Sequence, residues 1–166
     1  MNSRTWLHFP ALLQLCLLLI GGMIPAAAAA ETLTGHVVYV SDGDTLLLRT
    51  PAGKKEWIRL AEIDAPEKDQ PGGLEAKEAL MQWVKGRTVE VDYGHRDGYG
   101  RLIGRLRHDG KYLNAEMVRS GHAWVYRRYS DYPALLRYEQ EAKSRRLGLW
   151  SGPIPTPPWK WRRRKD

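Results

Sequence analysis

The sequence predicts one domain of the α+β class, with strands concentrated in its first half and helices in its second. Runs of β-branched and other apolar residues, separated by Asp-Gly and Pro-Ala-Gly turns, fill residues 32–60. Apolar residues at helical spacing, closed by glycines, occupy residues 74–85 and the region after residue 131. Together these patterns predict roughly five strands and three helices.

The first three strands are predicted to follow one another through short turns. Residues 32–40 alternate loosely between polar and apolar side chains, and residues 45–50 form a second strand after the Asp42-Gly43 turn. A third strand, residues 56–60, follows the turn at residues 51–53. This order places an acidic turn directly between the first two strands.

A helix and further strands come next. Residues 74–85 place small and apolar side chains on one helical face, and Gly86 ends the pattern. Residues 88–93 and 102–108 predict two strands separated by a glycine-rich loop, and residues 111–113 continue the second one after a turn.

Two helices complete the predicted domain. Asn114 is expected to cap a short helix that ends at Ser120. The last helix is predicted to begin near Pro133 and to end at Leu147, with two pairs of opposite charge at i,i+4 spacing along its surface.

The first 30 residues are interpreted as a secretory signal peptide and not as part of the fold. A weakly basic start containing Arg4 precedes an apolar stretch and a run of small residues that ends at Ala30. A retained membrane anchor is the alternative, but a span needs about 20 apolar residues, and prolines and glycines interrupt this stretch. The only cysteine, Cys16, lies inside it. We therefore expect a monomer without disulfides that is exported to the periplasm or the extracellular medium and has no stable membrane association.

The excess of positive charge indicates a polyanionic partner. Lysine and arginine together number 26 against 19 aspartates and glutamates, which gives a formal net charge of +7. Nucleic acid is the commonest polyanion that also contains phosphodiesters, although basic proteins bind membranes and acidic proteins as well. The histidines of the predicted domain have no ligand-like spacing, so a zinc site is not expected.

A cluster of acids with one arginine follows the first strand and suggests a chemistry for this partner. Asp44 and Asp64 stand at strand ends, where two carboxylates can share a hard divalent cation that prefers oxygen ligands. Glu67 can then serve as a base, and the planar guanidinium of Arg59 matches two phosphate oxygens. Each residue alone would be interpreted as a turn acid or a solvated arginine, and Asp42 is interpreted as a turn residue. Together they predict metal-assisted attack of water on a phosphodiester.

Four separated motifs resemble the thermonuclease, or staphylococcal nuclease-like (SNase), family. They stand in family order and are VVYVSDGDTLLL, IRLAEIDAPE, DGYGRLIGRL and LGLW. The resemblance covers residues 33–151 and implies a nuclease domain over residues 31–151, with an OB-type five-stranded β-barrel and three helices. It also implies calcium-dependent hydrolysis of DNA, preferably single-stranded, and of RNA, with low sequence specificity and 3′-phosphate ends.

The resemblance assigns the cation site and the base to individual residues. Asp44 and Asp64 would bind Ca²⁺ through their carboxylates, and Ala65 would bind it through its backbone carbonyl, which any residue type can supply. The Pro66 ring favours an extended conformation at Ala65 and so helps to hold that carbonyl. Glu67 would be the general base that activates the attacking water.

The substrate contacts are assigned in the same way. Arg59 and Arg101 would clamp the phosphate and stabilise the charge added in the transition state. Tyr129 matches a tyrosine that packs near the nucleotide in the family. Arg127 stands where the family commonly has another tyrosine, and an arginine plane can also stack on a base. Both are therefore candidate substrate-binding residues.

Two other functions are weighed against the nuclease. A catalytically silent OB-type module that binds single-stranded nucleic acid should have lost part of the catalytic set, yet all five charged residues are present: Asp44, Arg59, Asp64, Glu67 and Arg101. A nuclease of the PD-(D/E)xK type is excluded because no acid-x-lysine pair follows an upstream Pro-Asp at strand spacing.

The predicted site requires an irregular backbone in one place. Strict alternation along a strand puts Arg59 and Asp64 on opposite faces. A bulge or a strand end near Ala61-Glu62 is therefore predicted, since both side chains have to reach one cation.

The last residues, 152–166, differ in character from the rest of the chain. Four prolines precede the sequence Trp-Lys-Trp-Arg-Arg-Arg-Lys. Two interpretations stay open. The segment is either a solvated, disordered end, or an extended spacer whose aromatic rings stack on bases while its cations bind phosphates.

Overall fold

The computed structural model describes residues 31–130 and 132–164, so the signal peptide predicted at residues 1–30 lies outside the described residues. The strands are β1 (Glu31–Val40), β2 (Thr45–Arg49), β3 (Lys55–Leu60), β4 (Ile63–Asp64), β5 (Thr88–Arg96), β6 (Leu102–His108), β7 (Lys111–Tyr112) and β8 (Trp124–Val125). The helices are α1 (Gly73–Val84), α2 (Leu113–Arg119), α3 (Pro133–Ser144) and α4 (Pro158–Arg162), with a 3₁₀ turn at Gly148–Ser151. None of the helices in these two ranges has the length and the apolar character that crossing a membrane requires.

Five of the strands form a closed barrel. Their order is β3-β2-β1-β5-β6, each antiparallel to its neighbours, and β3 closes the ring by pairing in parallel with β6. The ladders shift register in β1 between Val37 and Tyr39 and in β5 between Tyr93 and His95. Such irregularities increase local twist and help a small sheet to close. The α+β class and the OB-type barrel predicted from the sequence are confirmed.

The barrel interior is filled by alternate residues of its strands. The most deeply buried of these side chains are at most 1% exposed, and they are Leu46, Leu48, Ile58, Leu60, Val89, Val91 and Leu106. Helix α1 adds Ala76, Leu80 and Val84, all fully buried, as its helical periodicity predicted. Each fully buried aliphatic side chain contributes about 1.5–3 kcal/mol. Because a slip of one residue would turn each inward side chain to solvent, the register of the strands is fixed, and so are the turns that carry the site.

Asn114 does not cap helix α2, so this prediction was wrong. The helix begins at Leu113, and its N-cap is Tyr112. The Asn114 side chain is fully buried: its oxygen accepts a hydrogen bond from the Leu106 N–H at 2.9 Å, and its amide donates to the Ala61 carbonyl at 2.9 Å. Asn114 therefore ties α2 to β6 and to the segment after β3.

Helix α3 ends at Ser144 instead of Leu147. Arg146 adopts a left-handed conformation with φ 52°, and the Leu147 N–H returns to the Ala142 carbonyl at 3.0 Å. This pattern is a common way of satisfying the last carbonyls of a helix. It turns the chain toward the 3₁₀ segment and the C-terminal residues.

The C-terminal residues fold back on the domain. Helix α4 follows the proline-rich spacer, and Pro158 at its start is buried. The interpretation as a disordered end is therefore wrong for this helix. Helix α4 lies beside the candidate active site.

Candidate active site

The turn between β1 and β2 presents Asp44 in an oriented position. The Asp44 N–H donates to Asp42 Oδ1 at 3.2 Å, so Asp42 orders the turn, as its sequence context indicated. Asp44 Oδ1 accepts a hydrogen bond from the Thr45 hydroxyl at 3.0 Å, and Asp44 Oδ2 accepts one from the Ala65 N–H at 2.8 Å. Both carboxylate oxygens of Asp44 therefore have fixed directions.

Gly43 lets this turn approach the segment after β4. A Cβ atom at Gly43 would lie 2.7 Å from the Cβ atoms of both Ala65 and Ala76, which is too close for any side chain. The glycine is thus required for packing, and it brings Asp44 next to Asp64.

The irregular backbone predicted between Arg59 and Asp64 is present. Glu62 has a φ of 66°, so the chain makes a left-handed turn between β3 and β4. After this turn Asp64 lies on the same side as Arg59, and Arg59 Nη2 donates to Asp64 Oδ1 at 2.9 Å. The left-handed turn therefore allows Arg59 and Asp64 to meet, although strict alternation along a strand would put them on opposite faces.

Arg59 contacts both aspartates and two backbone carbonyls of the site. Its Nη1 donates to the carbonyls of Leu60 and Ile63 at 2.6 and 2.9 Å. Its Nη2 lies 2.9 Å from Asp64 Oδ1 and 3.1 Å from Asp44 Oδ2. The Arg59 side chain is only 14% exposed. In this structure it holds the two aspartates together.

The donors around Arg59 fit a hard divalent cation. Asp44 and Asp64 are 6% and 1% exposed, and oxygens of both approach one positively charged nitrogen. Among the described residues no group of three or more His, Cys, Asp or Glu side chains gathers as a metal site. The carboxylates of Asp44 and Asp64 are oxygen donors, the kind that Ca²⁺ prefers, and Ala65 lines the same cleft.

The electrostatics of these carboxylates also suit a cation. Burial raises the pKa of Asp64, although Arg162 and Arg59 beside it act in the opposite direction. Burial, and next the charge of Asp44, raise the pKa of Asp42 to about 6. Crowded, poorly solvated carboxylates favour a nearby positive charge.

Glu67 lies in the same cleft, at the start of a tightly packed loop. A Cβ atom at Gly73, the first residue of α1, would lie 2.0 Å from the Glu67 carbonyl oxygen, so this helix start requires glycine. The Glu67 N–H donates to Gln70 Oε1 at 3.2 Å. The Glu67 side chain is 38% exposed, and its Oε1 accepts from Arg162 Nη1 at 2.6 Å.

Arg101 enters the cleft from the loop between β5 and β6. Asp97 holds it, since Arg101 Nε donates to Asp97 Oδ2 at 2.7 Å and the Arg101 N–H donates to Asp97 Oδ1 at 3.0 Å. Arg101 Nη1 reaches the Thr45 hydroxyl at 3.5 Å, next to Asp44. The predicted catalytic residues thus line one open cleft of about 1070 Å³.

The two predicted substrate-binding residues, Tyr129 and Arg127, differ in their position relative to the cleft. Tyr129 lines the cleft, is 59% exposed and packs edge-to-face on Tyr126 with ring centroids 4.8 Å apart. Arg127 points elsewhere, and its Nη2 lies 3.3 Å from Oε2 of the buried Glu139. Its neighbour Arg128 lines the cleft instead. Substrate binding by either residue stays a prediction.

Glu62 supports the site but was not recognised in the sequence. It is buried and accepts hydrogen bonds from Arg105 Nε at 2.9 Å and from the Tyr112 hydroxyl at 2.6 Å. Burial and the hydrogen bond to Glu62 raise the pKa of Tyr112. Only the predicted strand end at Ala61-Glu62 could have indicated its importance.

Comparison with known proteins finds relatives that are named as nucleases. A family model described as staphylococcal nuclease homologue matches residues 57–152. An uncharacterized endonuclease of Escherichia coli O157:H7 is 46% identical over 132 residues, 79% of this chain and 86% of the relative. An uncharacterized endonuclease of Haemophilus influenzae is 38% identical over 140 residues, 84% and 79% of the two chains. The probable staphylococcal-like nuclease CAN1 of Oryza sativa subsp. japonica is 45% identical over 112 residues, which are 68% of this chain but 34% of the plant protein.

The matched region contains most of the cleft. Arg59, Asp64, Glu67 and Arg101 lie within residues 57–152, and Asp44 precedes them. The family model covers more than half of the chain, and the barrel has the predicted OB-type topology. The chain therefore belongs to the staphylococcal nuclease-like family.

Proposed function

We propose that the protein is an exported, calcium-dependent endonuclease that cleaves DNA, preferably single-stranded, and RNA with low sequence specificity and leaves 3′-phosphate ends. The observation that carries this proposal is the convergence of five charged residues in one cleft: Asp44, Arg59, Asp64, Glu67 and Arg101. A silent binding module would have no need to keep a base and two oriented carboxylates beside the phosphate-binding arginines.

Asp44, Asp64 and the carbonyl of Ala65 are the residues that would hold Ca²⁺. When bound, the ion would neutralise phosphate charge and make a water molecule more acidic. The aspartates suit this duty because Ala65 and Thr45 already orient the oxygens of Asp44. Side chains that are already oriented lose little conformational freedom when they bind a cation.

Glu67 and the arginines would act directly on the reacting groups. Glu67 would accept the proton of the attacking water, since its carboxylate reaches into the cleft and is partly solvated. Arg101 would donate hydrogen bonds to the phosphate oxygens, where charge builds up in the transition state. Arg59 would have to exchange one of its present partners in order to contact the phosphate.

The decisive experiment compares Glu67→Gln with the wild type on denatured DNA and on RNA in the presence of Ca²⁺. We expect a loss of kcat by a factor of roughly 10²–10⁴, the usual contribution of a general base. Glu78→Gln, an exposed glutamate of α1, is the matched control and should keep full activity. Equal activity of the Glu67 variant would remove the assignment of the base, and activity that persists in a chelator would remove the metal.

A further inference from the structure

The C-terminal strap, residues 156–162, lies against the rim of the cleft. Gln70, next to the Glu67 loop, donates its amide to the Thr156 carbonyl at 2.6 Å. The Trp159 ring stacks on Tyr126, with the two planes 1° apart and ring centroids 6.0 Å apart. Because Pro158 is buried between these two contacts, the strap is docked on the domain at several points.

Arg162, the last residue of the strap, reaches the carboxylates of the site. Its Nη2 donates to Asp64 Oδ2 at 2.8 Å, and its Nη1 donates to Glu67 Oε1 at 2.6 Å and to Asp64 Oδ1 at 3.2 Å. Hydrogen bonds between a guanidinium and two carboxylates are among the strongest polar contacts in proteins. Arg162 is thus firmly placed, although 42% of its side chain is exposed.

The oxygens that Arg162 occupies are those that the proposed function uses. Asp64 would bind the cation, and Glu67 would bind the attacking water. A guanidinium and a divalent cation at the same carboxylate repel each other, and the repulsion is strong because Asp64 is only 1% exposed. Ca²⁺ bound at Asp64 would therefore weaken the contacts of Arg162.

A role in holding the substrate phosphate is the other way to use an arginine here. Both terminal nitrogens of Arg162, however, already donate to carboxylates of the protein. Arg101, in contrast, pairs through Nε and Nη2 with Asp97, which is not among the carboxylates assigned to the cation or the water, and its Nη1 reaches only the Thr45 hydroxyl at 3.5 Å. The contacts of Arg162 are those of a group that neutralises the site.

We propose that the C-terminal strap is an autoinhibitory element that blocks the cleft until Ca²⁺ displaces Arg162 from Asp64 and Glu67. This inference rests on the proposed function. It gives the basic tail a regulatory role, and the threshold for activation would be set by the strength of the contacts that Arg162 makes with Asp64 and Glu67.

The test measures Ca²⁺ affinity by calorimetry in the absence of nucleic acid, with the exported chain and two variants. Arg162→Gln should lower the Kd for Ca²⁺ at least tenfold. Arg163→Gln changes the net charge equally, concerns an exposed neighbour and should leave the Kd unchanged. In hydrogen exchange, saturating Ca²⁺ should accelerate exchange of residues 156–164 in the wild type.

The outcomes separate this inference from the proposed function. Unchanged or weaker Ca²⁺ binding by Arg162→Gln, together with calcium-dependent cleavage by the wild type, would overturn the strap and leave the nuclease assignment intact. Loss of cleavage in Arg162→Gln alone would also overturn it and would make Arg162 a substrate-binding residue. Absence of cleavage in all three proteins despite tighter Ca²⁺ binding by Arg162→Gln would support the strap and reject the nuclease.

Discussion

Among single residues, Arg59 connects the fold to the proposed chemistry. Its guanidinium satisfies two carbonyls and lies between two buried carboxylates. The family resemblance assigns the same group to the phosphate. Loss of activity in an Arg59 variant therefore has two possible causes, and a stability measurement is needed to separate them.

We expect Arg59→Ala to be less stable than the wild type by about 3–5 kcal/mol, because buried Asp44 loses the counter-charge of Arg59 and buried Asp64 keeps only that of Arg162. Urea unfolding in a chelator measures this change. Arg49→Ala, which removes an exposed arginine from the neighbouring strand, is the control and should change stability by less than about 0.5 kcal/mol. An Arg59 variant of normal stability would show that the fold does not need Arg59 to hold the two aspartates.

The sequence predicted the functional role of single residues where those residues belong to a recognisable motif. Asp44, Asp64 and Glu67 were found in motifs, and the structure brings them into one cleft. The sequence did not identify Arg162 and Glu62 as part of the site, because each contacts residues that are distant in the chain. Arg162 lies 98 positions from Asp64, and no local pattern encodes such a contact.

Among the elements, the regular strands and α1 follow local patterns, whereas the closure of the barrel does not. Alternation and turn residues placed β1, β2, β3 and β6 close to their observed bounds. The parallel pairing of β3 with β6 depends on a ladder between strands with no turn linking them. That pairing required the family resemblance.

The left-handed turn between β3 and β4 is the element on which the site depends most. Glu62 is 6% exposed and neutralises Arg105 there. We expect Glu62→Gln to lower the unfolding free energy by about 1–3 kcal/mol, because hydrogen bonds of Arg105 and Tyr112 lose their charged acceptor. Activity should fall more than stability alone explains, since this turn sets the direction of Asp64.

Urea unfolding and cleavage assays at a temperature where the variant is fully folded test the Glu62 prediction. Glu90→Gln, an exposed glutamate of β5, is the control. If the folded Glu62 variant cleaves nucleic acid at the wild-type rate, the turn does not need Glu62 for the geometry of the site.

At the scale of the whole molecule, a basic protein surrounds an acidic centre. The net charge is +7, yet the cleft collects Asp42, Asp44, Asp64 and Glu67. Positive charge along the cleft rim attracts the polyanion from a distance, while the acidic centre favours a divalent cation. The docked strap adds one more positive charge at this centre. Arg162, near the C-terminus, thereby contacts Asp64 and Glu67, which lie near the middle of the sequence.

The arginines after β8 allow a test of which part of this charge contacts nucleic acid. Binding of single-stranded DNA by the Glu67→Gln protein with Ca²⁺ should weaken as salt increases, because phosphate contacts release counterions. Arg128 lines the cleft, whereas Arg127 pairs with Glu139. Arg128→Gln should therefore reduce the slope of log K against log salt by about 0.7, the value for one lost contact on a single strand.

Arg127→Gln in the same background is the matched control, because it removes the same charge one position away. Glu139 keeps the Lys143 ammonium at 2.7 Å and the Val125 N–H at 3.0 Å, so this variant should remain folded. Its salt slope should equal that of the parent. If Arg127→Gln flattens the slope as much as Arg128→Gln does, or more, the sequence-based assignment of Arg127 to substrate binding is restored, and its guanidinium must then leave Glu139 when nucleic acid binds.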